Sequence, residues 1–221
     1  MDSNNLIQSR RSFIFTPGLK PEMFPKAIKS GTDMVCVELE DGIAPQDKNL
    51  ARKLAIKLFE TNEGLEKAYD IANCSNRIDA LFFGGVDMSA ELKCENKWEP
   101  LLYARSRIVH AASSAGIDAI DVPFLDLDDP EGMKQEAIKA KELGFSGKGS
   151  IHPTQIPILN EVFTPSEEVI QRAKKITSTF EKANTGLVVI DGKLIEKPVL
   201  REMYRILAVA KKIEKNNVIL K

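Results

Sequence analysis

Short runs of β-branched and aromatic residues alternate along this chain with longer stretches in which apolar residues recur every three or four positions. That alternation is the pattern of parallel βα units. "RSFIFTPG" reads as a strand ending in a Pro-Gly turn, and residues 21–30 read as a helix with Gly31 at its C-cap. "DMVCVELEDG" is a second strand, followed by a helix from about Pro45 that buries Leu50, Leu54 and Leu58. "RIDALFFGGVD" is a strand, "WEPLLYARSRIVHAASSAG" a long helix, and "DAIDVPF" a further strand. Pro130 opens the next helix where its missing N–H costs nothing, Gly144 ends it, and "GKGSIHPTQI" holds the last short strand. From Ser166 two helices flank "GLVVIDGKLIE", a turn or hairpin. The expected organisation is a parallel α/β domain, barrel or open sheet, over residues 1–165 and a helical extension over 166–221.

One stretch resists the simple pattern. "KLFETNEGLEKAYDIA" begins as the end of an amphipathic helix but carries Thr61, Asn62 and Gly64 in its middle. If Thr61 or Asn62 caps a new helix with Glu63 in its first turn, that helix runs to about Ala72, and Glu60 falls at the end of a strand. Asp87 follows 27 residues later, a separation that fits helix, loop and strand. Glu60 and Asp87 then terminate neighbouring parallel strands ~4.8 Å apart.

Composition narrows the class without changing the outline. With 221 residues, 43% hydrophobic and 29% charged, the chain can bury one sizeable core. The formal net charge is −1 and the cations are spread through the helices, so no electrostatic footprint for nucleic acid or an anionic membrane emerges. No segment approaches the ~20 apolar residues of a membrane span. Cys36, Cys74 and Cys94 are scattered outside any CxxC spacing, which favours core fillers in a reducing, cytoplasmic protein over a zinc site or a disulfide framework.

The candidate chemistry sits at strand ends. Glu40, Asp41, Asp87, Asp121 and His152 all fall there, and in a parallel α/β barrel or open sheet the strand C-termini form the active face. Acidic residues also favour turns and helix N-termini for structural reasons alone. Two adjacent carboxylates, Glu60 and Asp87, can share one hard cation. Mg²⁺ suits them better than zinc, for which His or Cys ligands are expected. Glu40 and Asp41 could order metal-bound water, or form an ion-pair cluster with Lys48 and Arg52. Arg10, Arg11 and Lys20 flank the "FTPG" turn and could meet phosphates, while His152 is expected to orient its loop by hydrogen bonding.

These motifs also carry a resemblance. "RSFIFTPG", "ELEDGIAPQDKNLAR", "ETNEGLEKAYDIA", "ALFFGGVDM", "AGIDAIDVPFLDLDDPEGM" and "GFSGKGSIHPTQIPILNEVFTPS" together resemble the citrate lyase β-subunit-like family, whose relatives include malyl-CoA and citramalyl-CoA lyases. The resemblance implies a (β/α)₈ TIM-type barrel with a C-terminal helical extension, usually trimeric. It implies Mg²⁺ bound through Glu60 of the Glu-Thr motif and Asp87 of the Gly-x-x-Asp motif, with Glu60 also at the substrate. The substrate class would be an acyl-CoA or acyl-carrier thioester.

The departures from that family are as informative as the match. Family members carry two further βα units between the "ELEDG" unit and the Glu-Thr strand, including a Val-Arg-Ile-Asn strand whose arginine binds the substrate carboxylate. Neither unit is present, so the barrel should be incomplete. Length agrees, since a barrel needs at least ~200 residues and the part before the extension holds only about 165. Relatives take a proton donor from an Asp within Gly-Lys-Met-Ile-Asp in the C-terminal segment of a neighbouring subunit. "GKLIE" puts Glu196 at that position, the candidate catalytic acid. Two functions therefore stand: a Mg²⁺-dependent carbon-carbon lyase, or a catalytically impaired relative that retains metal binding or an assembly role.

Overall fold

In the computed structural model, which describes residues 9–17, 23–38, 57–59, 61–74, 78–183 and 187–219, the strand patterns become one parallel sheet. Its strands are β1 (Ser12–Pro17), β2 (Met34–Glu38), β3 (Lys57–Phe59), β4 (Ala80–Phe83), β5 (Asp118–Asp121) and β6 (Gly147–Ser150). They lie in the order β2-β1-β6-β5-β4-β3. The first strand thus pairs with both the second and the last, as in a barrel, while β2 and β3 stand at the two edges of the sheet. This is the incomplete barrel that the missing units imply. The helix expected from Pro45, and the junction between it and β3, lie outside the described residues.

Side-chain alternation shows how far the sheet curls. Phe13, Ala80, Phe82 and Ile120 form one buried cluster, with Phe15 and Met34 packed against it. On the other face Leu81, Phe83 and Ala119 pack beneath the helices with Leu101, Ala104, Ile108, Met133, Ala137 and Ala140. Strands β1 and β4 are three places apart, which in a flat sheet would separate them by ~14 Å at ~4.8 Å per strand. Yet the Phe82 ring lies 5.1 Å from that of Phe13 and 5.5 Å from that of Phe15. Such contacts require a curled sheet whose inner face meets itself, the geometry of a barrel wall.

The helices of this unit are α1 (Met23–Lys29), α2 (Asn62–Glu66), α3 (Ala68–Asn73), α4 (Gly85–Leu92), α5 (Leu102–Ala115), α6 (Pro130–Leu143) and α7 (Ile156–Phe163). Their ends follow local chemistry. Asp129 caps α6 by accepting from Gly132 N–H with Pro130 in the first turn, and Gly144 closes it at φ +112°. Two expectations shift. The single helix expected up to Ala72 breaks at Lys67 into α2 and α3. The strand expected through Asp87 stops at Phe83, because Gly84 turns the chain and caps α4.

The chain divides into two compact units, one spanning Arg10–Phe163 and one that includes Thr164–Lys221. The second contains α8 (Glu167–Lys182), the antiparallel hairpin β7 (Leu187–Ile190) and β8 (Lys193–Glu196), and α9 (Lys197–Ile219). Ile176, Ile190 and Ile195 form its core with Phe180, Val188 and Met203. Asp191 and Gly192, at φ +51° and +73°, supply the two left-handed residues that a tight hairpin turn demands. Among the described residues no helix is long and apolar enough to cross a membrane.

Candidate functional site

The C-terminal ends of the strands carry the candidate chemistry, and the carboxylates found there have different surroundings. Asp87 is the third residue of α4 rather than the last of a strand. The Gly84-Gly85 turn favours this: a Cβ on Gly85 would lie 3.1 Å from both the Phe83 ring and the Val122 side chain, a tight contact that glycine avoids as α4 starts close to β4. Asp87 is exposed, and its carboxylate makes no hydrogen bond or ion pair among the described residues.

Strand β3 runs beside β4 in parallel register, with Phe59 opposite Phe83. Glu60 is the next residue in sequence and itself lies outside the described residues. Thr61 follows, and its side chain accepts from Gly64 N–H at 3.1 Å to cap α2, as the sequence anticipates. Strand β3 therefore ends at Phe59 at the same end of the sheet as the turn that carries Asp87, one strand over.

The donor chemistry fits a hard cation. Asp87 offers unengaged oxygen donors beside a strand end, and a site built on carboxylates, filled out by water and substrate oxygens, is the kind Mg²⁺ uses. Among the described residues no group of three His, Cys, Asp or Glu side chains gathers for a metal.

Asp121 does not join this face, contrary to expectation. It ends β5 but points to the helix side of the sheet, fully buried, where it accepts from Arg105 Nε at 2.8 Å and from Lys148 Nζ at 2.6 Å. Lys148 Nζ also donates to Glu136 at 2.7 Å. The Arg105 guanidinium stacks between Trp98 and Phe83, 4.5 and 5.3 Å from the ring centres. Burial pushes the Asp121 carboxyl up, but Lys148 and Arg105 together outweigh it and hold the group below the usual aspartate value. This quartet links α5, β5, α6 and β6 and has a structural role. Its sequence signal was an arginine among the core-facing positions of α5, with Ala104, Ile108, Ala111 and Ala112.

Arg10 and Arg11 are also corrected. They lie at the start of β1, the opposite end from the "FTPG" turn, and are engaged with Asp118 and Asp33. Neither is placed to meet phosphates beside that turn. Lys20, Glu40, Asp41, Lys48 and Arg52 lie outside the described residues. His152 behaves as anticipated: its Nδ1 accepts from Thr154 N–H and lies 2.8 Å from Thr154 Oγ1, capping the 3₁₀ turn Pro153–Gln155. Gln155, assigned no role from sequence beyond its place in the IHPTQI motif, is buried and bonds backbone on two loops. In the C-terminal unit Glu196 is exposed at the end of β8.

The sequence pattern of the HpcH/HpaI aldolase/citrate lyase family matches residues 11–62 and 55–153. The chain belongs to this family. Citrate lyase subunit beta of Leuconostoc mesenteroides subsp. cremoris is 31% identical over 202 residues, covering 83% of this chain and 67% of that protein. L-malyl-CoA/beta-methylmalyl-CoA lyase of Rhodobacter capsulatus is 24% identical over 291 residues, covering 87% of this chain and 92% of its own. A crystal structure of Mycobacterium tuberculosis CitE in complex with magnesium, acetoacetate and coenzyme A superposes with a TM-score of 0.73 at 25% identity, covering 90% of this chain and 97% of that one.

The chain is shorter than its family. It spans 60–70% of the length of citrate lyase β subunits it matches. The alignment to the Rhodobacter lyase is longer than the whole 221-residue chain, so that relative has stretches with no counterpart here. The two parts of the family pattern overlap at residues 55–62, where the sequence placed the junction left by the missing units.

Proposed function

We propose that the chain is a Mg²⁺-dependent carbon-carbon lyase acting on a hydroxy-acyl thioester of the citryl-CoA or malyl-CoA kind, carried on CoA or an acyl carrier. One observation carries the reading: the Asp87 carboxylate, without a partner among the described residues, stands beside the end of β4, next to the strand that precedes Glu60 in sequence. Family membership and the magnesium and coenzyme A bound by the M. tuberculosis relative support it.

In this reading Glu60 and Asp87 hold the metal, and Glu60 also orients the substrate. Bound Mg²⁺ would supply Lewis acidity and a template for the hydroxyl and carboxylate oxygens of the substrate. The substrate hydroxyl gives up its proton to a base and becomes a carbonyl as the adjacent carbon-carbon bond breaks. The bond's electron pair leaves with the acyl thioester, and Glu196 returns a proton to that carbon, closing the balance.

Glu196 would act on a neighbouring copy, in a homo-oligomer that family resemblance makes a trimer. The hairpin offers a face for such an association: Leu187, Val189 and Leu194 are exposed at 55%, 68% and 51%, on the side away from Ile190 and Ile195. The free thiols of Cys74 and Cys94 accord with a reducing, cytoplasmic setting.

A second reading, an impaired relative that keeps the metal pair or an assembly role, is favoured by the arginine strand that the sequence lacks. A bidentate arginine-carboxylate pair is stronger and more directional than a metal contact alone. Binding of a dicarboxylic acyl-CoA should therefore be weaker than micromolar. Acetyl-CoA release from citryl-CoA, malyl-CoA and citramalyl-CoA, with and without Mg²⁺, separates the two readings. Metal-dependent release supports the lyase, and its absence with metal still bound supports the impaired relative. Asp87→Ala should abolish the rise in Tm that millimolar Mg²⁺ or Mn²⁺ gives the unmutated protein. If calorimetry detects no divalent binding to the unmutated protein at those concentrations, the metal site is wrong.

A further inference from the structure

The β5–β6 ladder stops early. Its register is Ile120 opposite Gly147 and Asp121 opposite Lys148, and it goes no further. Two residues beyond Asp121 stands Pro123, which has no N–H to donate, so regular pairing cannot continue toward the mouth. Carried on in the same register, the next residues to face each other past this break would be Phe124 and Ile151. Those are the two residues that Gln155 joins. Its Nε2 donates to Phe124 C=O at 2.8 Å, and its Oε1 accepts from Ile151 N–H at 2.9 Å.

The side-chain amide thus stands where a backbone peptide group would stand in a strand laid between two diverging ones: one donor to one side, one acceptor to the other. Gln155 is held for this task. It is 4% exposed and closes the 3₁₀ turn that His152 caps. Below it, the Pro123 ring packs where any side chain on residue 149 would collide, 2.8 Å from a Cβ built there, so Gly149 is what lets the two segments approach. A shorter amide could not span both partners, and an apolar side chain of the same length would leave the Ile151 N–H and Phe124 C=O without this partner.

We propose that Gln155 is a positioning residue whose amide replaces the missing rungs of the β5–β6 ladder and fixes the two loops, residues 122–129 and 151–155, that frame the mouth between these strands. Its effect on turnover rests on the lyase reading; the brace itself does not. With the brace in place the loop backbone is set before a substrate arrives, so binding does not have to bear the ordering of those residues.

The test uses the full chain with two isosteric variants. Gln155→Met removes both bonds and keeps the shape, whereas Gln155→Glu keeps the acceptor for Ile151 N–H and loses the donor to Phe124 C=O. Hydrogen exchange should show the Ile151 amide at least ~10-fold faster in Gln155→Met and still protected in Gln155→Glu. Amides of residues 124–128 should exchange faster in both, with β4 amides unchanged. If the unmutated protein turns over malyl-CoA or citryl-CoA, both variants should raise KM several-fold more than they lower kcat. Uniform acceleration of exchange across the barrel would make Gln155 a general stability residue and overturn the proposal. So would unchanged exchange at Ile151 in Gln155→Met, or a loss confined to kcat. An unmutated protein without lyase activity would sink the lyase reading but leave the brace to be decided by exchange alone.

Discussion

Asp121 shows how a carboxylate can be ionised where water cannot reach it. Removing two charges from water costs several kcal/mol each, and the quartet offsets this only because every charge has a close partner. Taking one away is therefore harsher than never having had it. Lys148→Met should destabilise the protein by about 3–5 kcal/mol in urea unfolding, since it leaves the buried Asp121 with Arg105 as its one remaining cation and loosens Glu136. A loss under ~1 kcal/mol would show that water or a rearranged Arg105 replaces the ammonium. The pH dependence follows from the sign of the shift. Because the folded value lies below the unfolded value near ~3.9, this stability is complete above about pH 5 and is lost as pH falls through the folded value. Asp121→Asn should be less stable at neutral pH, and its unfolding free energy should fall less steeply between about pH 4 and 2 than that of the unmutated protein.

At the scale of elements, the short α2 depends on one side chain. With five residues it has little helical stability of its own, and the Thr61 cap satisfies one of its first orphan N–H groups. Leu65 anchors it to the core from the other side. Thr61→Ala should cost about 1 kcal/mol, while Thr61→Ser should be close to neutral. The same change should weaken Mg²⁺ binding measurably by calorimetry, because the cap fixes the backbone immediately after Glu60. Equal metal affinity in the Thr61→Ala protein would uncouple the helix start from the site. Lys67, by contrast, pairs with Glu63 in full exposure, and little is expected from breaking that contact.

For the whole molecule, the decisive feature is that the described strands form a curled sheet whose edges, β2 and β3, do not pair with each other. Strand β4 lies between β3 and β5, and Leu81 and Phe83 are fully buried. Strand β2 is an edge, with Met34 and Val35 only partly buried. Edge strands open at lower cost than central ones, and exposed parallel edges invite pairing with another chain. Amides of Val35–Val37 should exchange faster than those of Leu81–Phe83, and sedimentation should show self-association that increases with concentration. Equally slow exchange of both strands in a monomer would mean that the opening is sealed within one chain.

Much of this architecture was legible in the sequence. The strand-helix alternation, the Pro130 and Gly144 punctuation of α6, the Thr61 cap and the Asp191-Gly192 turn follow from local rules of backbone geometry, and the shortfall of two βα units from the resemblance to the family, with which the chain's length agrees. Such features depend on residues a few positions apart, which is why a linear reading reaches them. What only the tertiary structure decided is where side chains point once strands are registered. Asp121 and Asp87 look alike in sequence, each an aspartate following a β-type run. Period-two alternation sends Asp121 under the helices among Arg105 and Lys148, while a glycine pair ends β4 early and leaves Asp87 on a helix turn in solvent. Gln155 stood in the sequence as part of the IHPTQI motif but its role did not, because that role comes from Pro123, 32 residues earlier, interrupting a ladder that exists only after β5 and β6 have met.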